Sequence, residues 1–253
     1  MTPALQTVAL CKYFGGLNVT RDLNLTIAPG ARHALIGPNG AGKTTLINQL
    51  TGVLRESSGR ILLNGADITR VKPHERVRLG LSRTFQINTL FPHLTPLESV
   101  TNVICERERD RLTVLQRRFF PLTHCRNQID EAYALLERLN LAADSLRETR
   151  ELAYGKQRLL EIALALAGRP TVLLLDEPAA GVPEGESDEL YAVLAELPRE
   201  ISILLIEHDM SLVFRFAERI TVLVSGAELV SGTPQEIAAD PRVREVYLGK
   251  GHG

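Results

Sequence analysis

The sequence predicts an α/β fold with a parallel central sheet, interrupted by a block of helices. Three observations carry this. Short, nearly unbroken apolar runs at 33–36, 172–175 and 203–206 read as strands buried on both faces. Helix-forming stretches separate them, as crossovers between parallel strands require. A glycine-rich loop joins the first of these runs to a helix-forming segment.

The elements follow in order. Val8 and Leu10 open an extended segment, and Leu23, Leu25 and Ile27 alternate with other residues as a strand does. Pro29-Gly30 turns the chain into the 33–36 strand. The segment from Lys43 suits a helix that ends near Gly52. Residues 61–65 form another strand, closing on the turn dipeptide Asn64-Gly65. Pro92 and Pro96 mark a change of composition, and 97–166 is mostly helix-forming, with Ala132, Leu135, Leu136 and Leu139 on one helical face. After Pro170 strands and helices alternate again: 172–175, a helix over 186–197, then 203–206. Residues 220–224 and 228–230 flank Ser225-Gly226 as a hairpin.

Length and composition bound the function. A chain of 253 residues, 44% hydrophobic and 23% charged, holds one large domain or two small ones. A net charge of −1, from 29 basic and 30 acidic residues, argues against a nucleic-acid binder held by bulk electrostatics. Cys11, Cys105 and Cys125 show no paired spacing, which predicts reduced thiols and no structural zinc. Residues 1–12 lack the apolar core of a secretion signal. The longest apolar runs, 162–167 and 172–175, are separated by Gly168, Arg169 and Pro170 and fall short of the ~18 residues a membrane span needs. A membrane role would therefore pass through a partner.

Gly37-Pro38-Asn39-Gly40-Ala41-Gly42-Lys43-Thr44 fits the phosphate-loop pattern G-x-x-x-x-G-K-[ST], between a strand and a helix. Its glycines let backbone N–H groups converge on phosphate oxygens, and the helix start adds partial positive charge. Lys43 then bridges the β- and γ-phosphates and the Thr44 hydroxyl ligates Mg²⁺. The second signal is Thr171-Val-Leu-Leu-Leu-Asp176-Glu177, an apolar strand ending in two acids. A parallel core strand delivers that end to the edge where the phosphate loop lies. There Asp176 can hold the Mg²⁺ hydration shell and Glu177 can orient or deprotonate an attacking water.

Further segments narrow the choice. Gln86 follows Arg83-Thr84-Phe85, Leu152-Ala153-Tyr154-Gly155-Lys156-Gln157-Arg158 precedes a helix and the Asp176 strand, and Glu207-His208-Asp209 closes the next strand. With the phosphate loop, this order resembles the ATP-binding-cassette family from Lys12 to the end of the chain. The resemblance implies an α/β P-loop NTPase (RecA-like) core with an antiparallel β subdomain and an inserted α-helical subdomain. It divides a single domain into a core at 1–88 and 160–235, a helical subdomain at 89–159 and a tail at 236–253. ATP and Mg²⁺ are the implied ligands. The resemblance extends nucleotide contacts from Gly37 through Thr44 to Thr45, and adds Ala153 and Gly155 of the signature segment. Phe14 stacks on adenine, with Tyr13 as the neighbouring alternative. Gln86 contacts Mg²⁺ or the water and couples to a membrane subunit, and His208 touches the γ-phosphate near Glu177.

Phe14-Gly-Gly-Leu17, Leu90-Phe91-Pro92-His93-Leu94-Thr95, Asp176-Glu-Pro-Ala-Ala-Gly181 and Val246-Tyr-Leu-Gly249 are similar to importer ATPases for branched-chain and related hydrophobic amino acids. A lipopolysaccharide-export ATPase is similar in its core. This likeness implies transmembrane permease subunits, a periplasmic solute-binding protein, a place on the cytoplasmic face of the inner membrane, and no nucleic-acid partner. A soluble ATP-binding-cassette ATPase of repair or translation, and a module that no longer hydrolyses ATP, are the competing classes. Leu90, Phe91 and Leu94 are candidate permease contacts or core residues. The run Glu106-Arg-Glu-Arg-Asp-Arg111 reads as a solvated helix face before a membrane contact, because its charges alternate.

Two segments depart from the family pattern. Ala153 stands where serine is usual and so has no hydroxyl for a γ-phosphate, a loss of about 1.5–3 kcal/mol for a charge-assisted bond. Lys156 is a candidate compensating charge. Gly181-Val182-Pro183 lacks the usual acid or amide at its third position. In family dimers one chain's signature completes the other chain's site. The expectation is therefore pairing with a second, unlike ATPase, the alternative being a homodimer with two weakened sites.

Overall fold

The computed structural model describes residues 2–84, 90–110 and 126–248. The chain divides into two compact units. The first comprises Met1–Arg83, Thr171–Glu177 and Pro198–Gly253, the second Thr84–Pro170 and Pro178–Leu197.

The first unit carries two sheets. One is antiparallel, built from β1 (Leu5–Phe14), β2 (Leu17–Leu23), β3 (Thr26–Ile27), β5 (Ser58–Leu63) and β6 (Ala66–Asp67) in the order β2-β1-β5-β6, with β3 also on β1. The other comprises β4 (Arg32–Ile36), β7 (Leu81–Arg83), β8 (Val172–Asp176), β9 (Ser202–Ile206), β10 (Arg219–Val224) and β11 (Ala227–Gly232) in the order β11-β10-β4-β9-β8-β7. All of its pairings are parallel except β10 with β11. The parallel core expected from the buried apolar runs is present.

The expected strand through Leu23, Leu25 and Ile27 is cut in two. Asp22 takes φ 45°, and Asn24 donates to the Asp22 carbonyl while accepting from the Ala9 amide at 2.8 Å. Local side-chain bonding there competes with the ladder. All three apolar residues are buried as their alternation predicts. Asn64-Gly65 and Ser225-Gly226 both have two positive φ values (50° and 82°, 48° and 81°), the tight hairpin geometry that matches strand twist.

Helices of this unit are α1 (Lys43–Leu50), α2 (Pro73–Arg78), α7 (Met210–Phe216), α8 (Pro234–Ala239) and α9 (Pro241–Leu248). Those of the second unit are α3 (Pro96–Asp110), α4 (Arg126–Arg138), α5 (Tyr154–Ala167) and α6 (Glu184–Ala195). Successive side chains of β4 face opposite ways and both faces are covered. Leu35 joins a core with Leu46, Ile47 and Leu50 of α1 and Leu10 and Ile61 of the antiparallel sheet. Ala34 and Ile36 join another with Val213, Ile237 and Val243 of α7, α8 and α9.

In the second unit Ala132, Leu136 and Leu139 are buried and Leu135 is half-buried. Two expectations need correction. The division expected at 159/160 falls inside α5, where the buried residues Arg158, Leu159, Leu160 and Glu161 continue one helix. The alternating charges of α3 are not simply a solvated face. The Arg107 side chain is largely buried, grips both oxygens of Glu131 at 2.9 and 2.8 Å and donates to the Ala167 carbonyl at 2.7 Å, tying α3 to α4 and α5. Among the described residues, no helix is long and apolar enough to cross a membrane.

Candidate functional site

Register decides what meets at the edge of the parallel sheet. Leu35 pairs with Ile206 and Ile206 with Asp176, so the C-terminal ends of β4, β9 and β8 lie level. The chain leaves those ends into the glycine loop, into Glu207-His208 and into Glu177. Three segments remote in sequence thus deliver their polar residues to one edge.

The loop can take only glycine at two of its turns. A Cβ on Gly37 would collide with the Leu223 carbonyl, and one on Gly42 would sit 2.7 Å from the Val19 carbonyl, with Gly42 at φ 101°. Gly42 is the N-cap of α1 and offers no side-chain cap, so the first N–H groups of this helix face outward unclaimed by a side chain. Asn39, Gly40 and Thr44 are exposed, Gly37, Pro38, Lys43 and Thr45 half-buried, and Ala41 is buried. This cradle fits the oxygens of a polyphosphate.

Lys43 folds back to donate to the Gly37 carbonyl at 2.7 Å and the Pro38 carbonyl at 3.2 Å. Burial pulls its pKa below the ordinary lysine value, while the negative charges of Glu177 and Asp176 push the other way. The lysine and both acids therefore share one electrostatic environment.

Asp176 ends β8 and is held by Arg83 of β7 at 2.7 Å, and Arg83 also donates to Asn48 of α1 at 2.8 Å. Glu177 follows at φ 49°, a left-handed conformation costly for a residue with a Cβ, and its amide donates to the Ile206 carbonyl at 2.9 Å. The His208 Nδ1 atom is 4.0 Å from Glu177 Oε1, beyond hydrogen-bond length, and 3.6 Å from Glu207. Glu207 is buried and also accepts from the His208 amide at 3.1 Å. His208 itself is exposed, free to reach toward a ligand.

Phe14 at the end of β1 is 49% exposed and Tyr13 46%, so exposure does not separate the two. Lys12, which donates to the Arg55 carbonyl, lies 5.0 Å from the Phe14 ring centre. Gln86 lies outside the described residues.

The signature segment belongs to the second unit. Ala153 is exposed and is the N-cap of α5, again without a side-chain cap. Gly155 donates to Glu186 at 2.9 Å, and a Cβ there would run into that carboxylate. Lys156 is paired with Asp144 inside the unit. Tyr154 donates to the Ala180 carbonyl at 3.2 Å, and Arg158 to Glu161 at 2.9 Å. The motifs left Arg83, Glu207 and Glu186 without roles. Each holds a motif residue from elsewhere in the chain or from the position before it, and no spacing rule announces such supports.

A family model described as "ABC transporter" matches residues 20–180, and a second, "Branched-chain amino acid ATP-binding cassette transporter", matches 229–253. The chain is 41% identical to BraF of Pseudomonas aeruginosa and 38% identical to LivG of Escherichia coli K12, both high-affinity branched-chain amino acid transport ATP-binding proteins. Each match covers 98% of both chains. Among solved structures it resembles an ATP-binding cassette of an ABC transporter in its ADP conformation, with a TM-score of 0.84 and 31% identity over 99% of this chain and 100% of the other.

Proposed function

Because this chain belongs to the ABC transporter family and is one of its ATP-hydrolysing cassettes, we propose that it is the motor of an importer for branched-chain or other hydrophobic amino acids. The observation that carries the chemistry is the convergence of Lys43, Asp176, Glu177 and His208 on one sheet edge beside an uncapped helix start. The match over 229–253 and the names of the relatives support the solute class.

The phosphates of ATP lie in the cradle of Gly37, Pro38, Asn39, Gly40, Ala41, Gly42, Lys43, Thr44 and Thr45, and Phe14 stacks on the adenine. Lys43 leaves the Gly37 and Pro38 carbonyls for the β- and γ-phosphate oxygens. Thr44, Asp176 and Gln86 would hold a Mg²⁺ ion, which when bound would supply positive charge to offset that on the phosphates. Glu177 accepts the proton of the attacking water, and its left-handed backbone fixes the carboxylate at the strand end. His208 contacts the γ-phosphate from the neighbouring strand. Ala153 and Gly155 face the nucleotide of a partner cassette, a second and unlike ATPase. ATP closes that dimer and hydrolysis reopens it, moving the permease subunits between inward and outward access on the cytoplasmic face of the membrane. A periplasmic solute-binding protein supplies the solute.

The test is a tagged Glu177→Gln chain purified from its native membranes in mild detergent with ATP. Hydrolysis falls roughly 10²- to 10⁴-fold, ATP stays bound, and two multi-pass subunits with an unlike ATPase co-purify. Undiminished hydrolysis refutes the base. Recovery of the chain alone refutes the importer.

A further inference from the structure

Helix α1 and strand β8 carry the two metal-binding candidates of the first unit, Thr44 and Asp176, and a third element joins them. Asn48 lies one turn beyond Thr44 on the same face of α1, since residues four apart stack along a helix. Val172 and Leu174 of β8 belong to the core that contains Leu46, Ile47 and Leu50 of α1. Asp176 continues that face by the two-residue period of a strand. Arg83, the last residue of β7, pairs with Leu174 and projects to the same side. Its guanidinium reaches both neighbours: Nη2 donates to Asp176 Oδ2 at 2.7 Å and Nη1 to Asn48 Oδ1 at 2.8 Å. With the Arg83 and Asp176 side chains only 17% and 10% exposed, water does little to loosen this bridge.

We propose that Arg83 is a positioning residue for the Mg²⁺ that accompanies ATP: by spanning Asn48 and Asp176, it sets the Asp176 carboxylate in register with Thr44. The donor set fits the metal, because a hydroxyl and a carboxylate oxygen suit a small, hard cation that keeps several waters. Both bonds leave one planar, rigid fork, so anchoring Nη1 on α1 dictates where Nη2 meets the carboxylate. Charge alone gives no reason for this arrangement. A fixed cation beside a group that holds Mg²⁺ weakens the metal by repulsion, so the role of Arg83 is geometric. Partners that orient a metal-binding group in this way typically matter about ten- to a hundredfold in metal affinity.

This inference rests on the nucleotide-binding reading, and the experiment separates the two. The full chain is saturated with a non-hydrolysable ATP analogue, well below its unfolding midpoint. Mn²⁺ is then titrated in, with the free ion followed by electron paramagnetic resonance. Asn48→Ala and Arg83→Lys each break the bridge without altering the net charge. Each variant should bind Mn²⁺ about tenfold more weakly, with analogue affinity in the absence of metal unchanged. The double variant should be worse than either alone by no more than about twofold, because both changes act through one bridge. Wild-type Mn²⁺ affinity in either variant overturns the positioning role, as do fully additive losses in the double variant. A fall in metal-free analogue affinity that matches the fall for Mn²⁺ overturns it too. Failure of the wild type to bind the analogue overturns the nucleotide reading and this inference with it.

Discussion

Helices α1 and α8 begin in opposite ways. At α8 the Thr233 hydroxyl accepts from the Glu236 amide and the Glu236 carboxylate accepts from the Thr233 amide, a closed capping box. At α1 a left-handed glycine occupies the cap position and no side chain answers the first N–H groups. The far end of α1 is again closed, because the buried Arg76 guanidinium donates to the Gln49 and Leu50 carbonyls at 2.8 and 2.6 Å, and to Thr69 and Val71. One helix is thus finished for stability at its end and left open at its start. Helix α5 also lacks a side-chain cap at Ala153, but there the Glu186 carboxylate answers the Gly155 amide of the first turn. Polar groups satisfied within the chain maintain the fold, and those left open are where a ligand can act.

Removing a satisfied group should cost the most stability. Arg76→Met removes a donor from four carbonyls and should lower unfolding stability in urea by about 3–5 kcal/mol, while the folded fraction still binds ATP. A smaller loss with equal nucleotide affinity would mean that α1 does not depend on this closure.

His33 is buried in β4 against the Thr221 hydroxyl at 2.8 Å. Burial, reinforced by the charge of Arg219, lowers its pKa from 6.5 to about 4. The unfolded chain therefore takes up a proton that the folded chain refuses. The associated stability is fully present above pH 6.5 and declines as pH falls toward 4, by roughly 3 kcal/mol in all. His33→Gln, which keeps a hydrogen-bonding partner for Thr221, should flatten that part of the stability profile. An unchanged slope would place the acid sensitivity elsewhere.

The smallest effect belongs to the open cap of α5. Ala153→Ser should add about 1 kcal/mol of stability as an N-cap and also speed turnover, by up to roughly tenfold, through the restored hydroxyl. Stability gained without any change in rate would leave the signature with no part in hydrolysis.

The same contrast governs what was legible in the sequence. The phosphate loop, Asp176-Glu177 and the buried parallel strands are local patterns, because each follows from spacing along a few residues. The break at Asp22 was hidden because it depends on Asn24 bonding across to Ala9, a choice that apolar alternation does not encode. Arg107 read as one of several alternating charges until burial against Glu131 and Ala167 set it apart. The pairing of Lys156 with Asp144, and of Asp176 with Arg83, likewise required the fold to bring distant residues together. Supports are non-local, and sequence spacing is silent about them.

Glu177 offers the most direct test, since it combines a strained backbone with the proposed base. Glu177→Gly removes both, and its unfolding stability and ATPase rate can be measured on one preparation. The account predicts a chain about 1 kcal/mol more stable and slower by roughly a hundredfold or more. A less stable chain, or one that still hydrolyses ATP at the wild-type rate, would contradict the claim that this sheet edge gives up stability for chemistry.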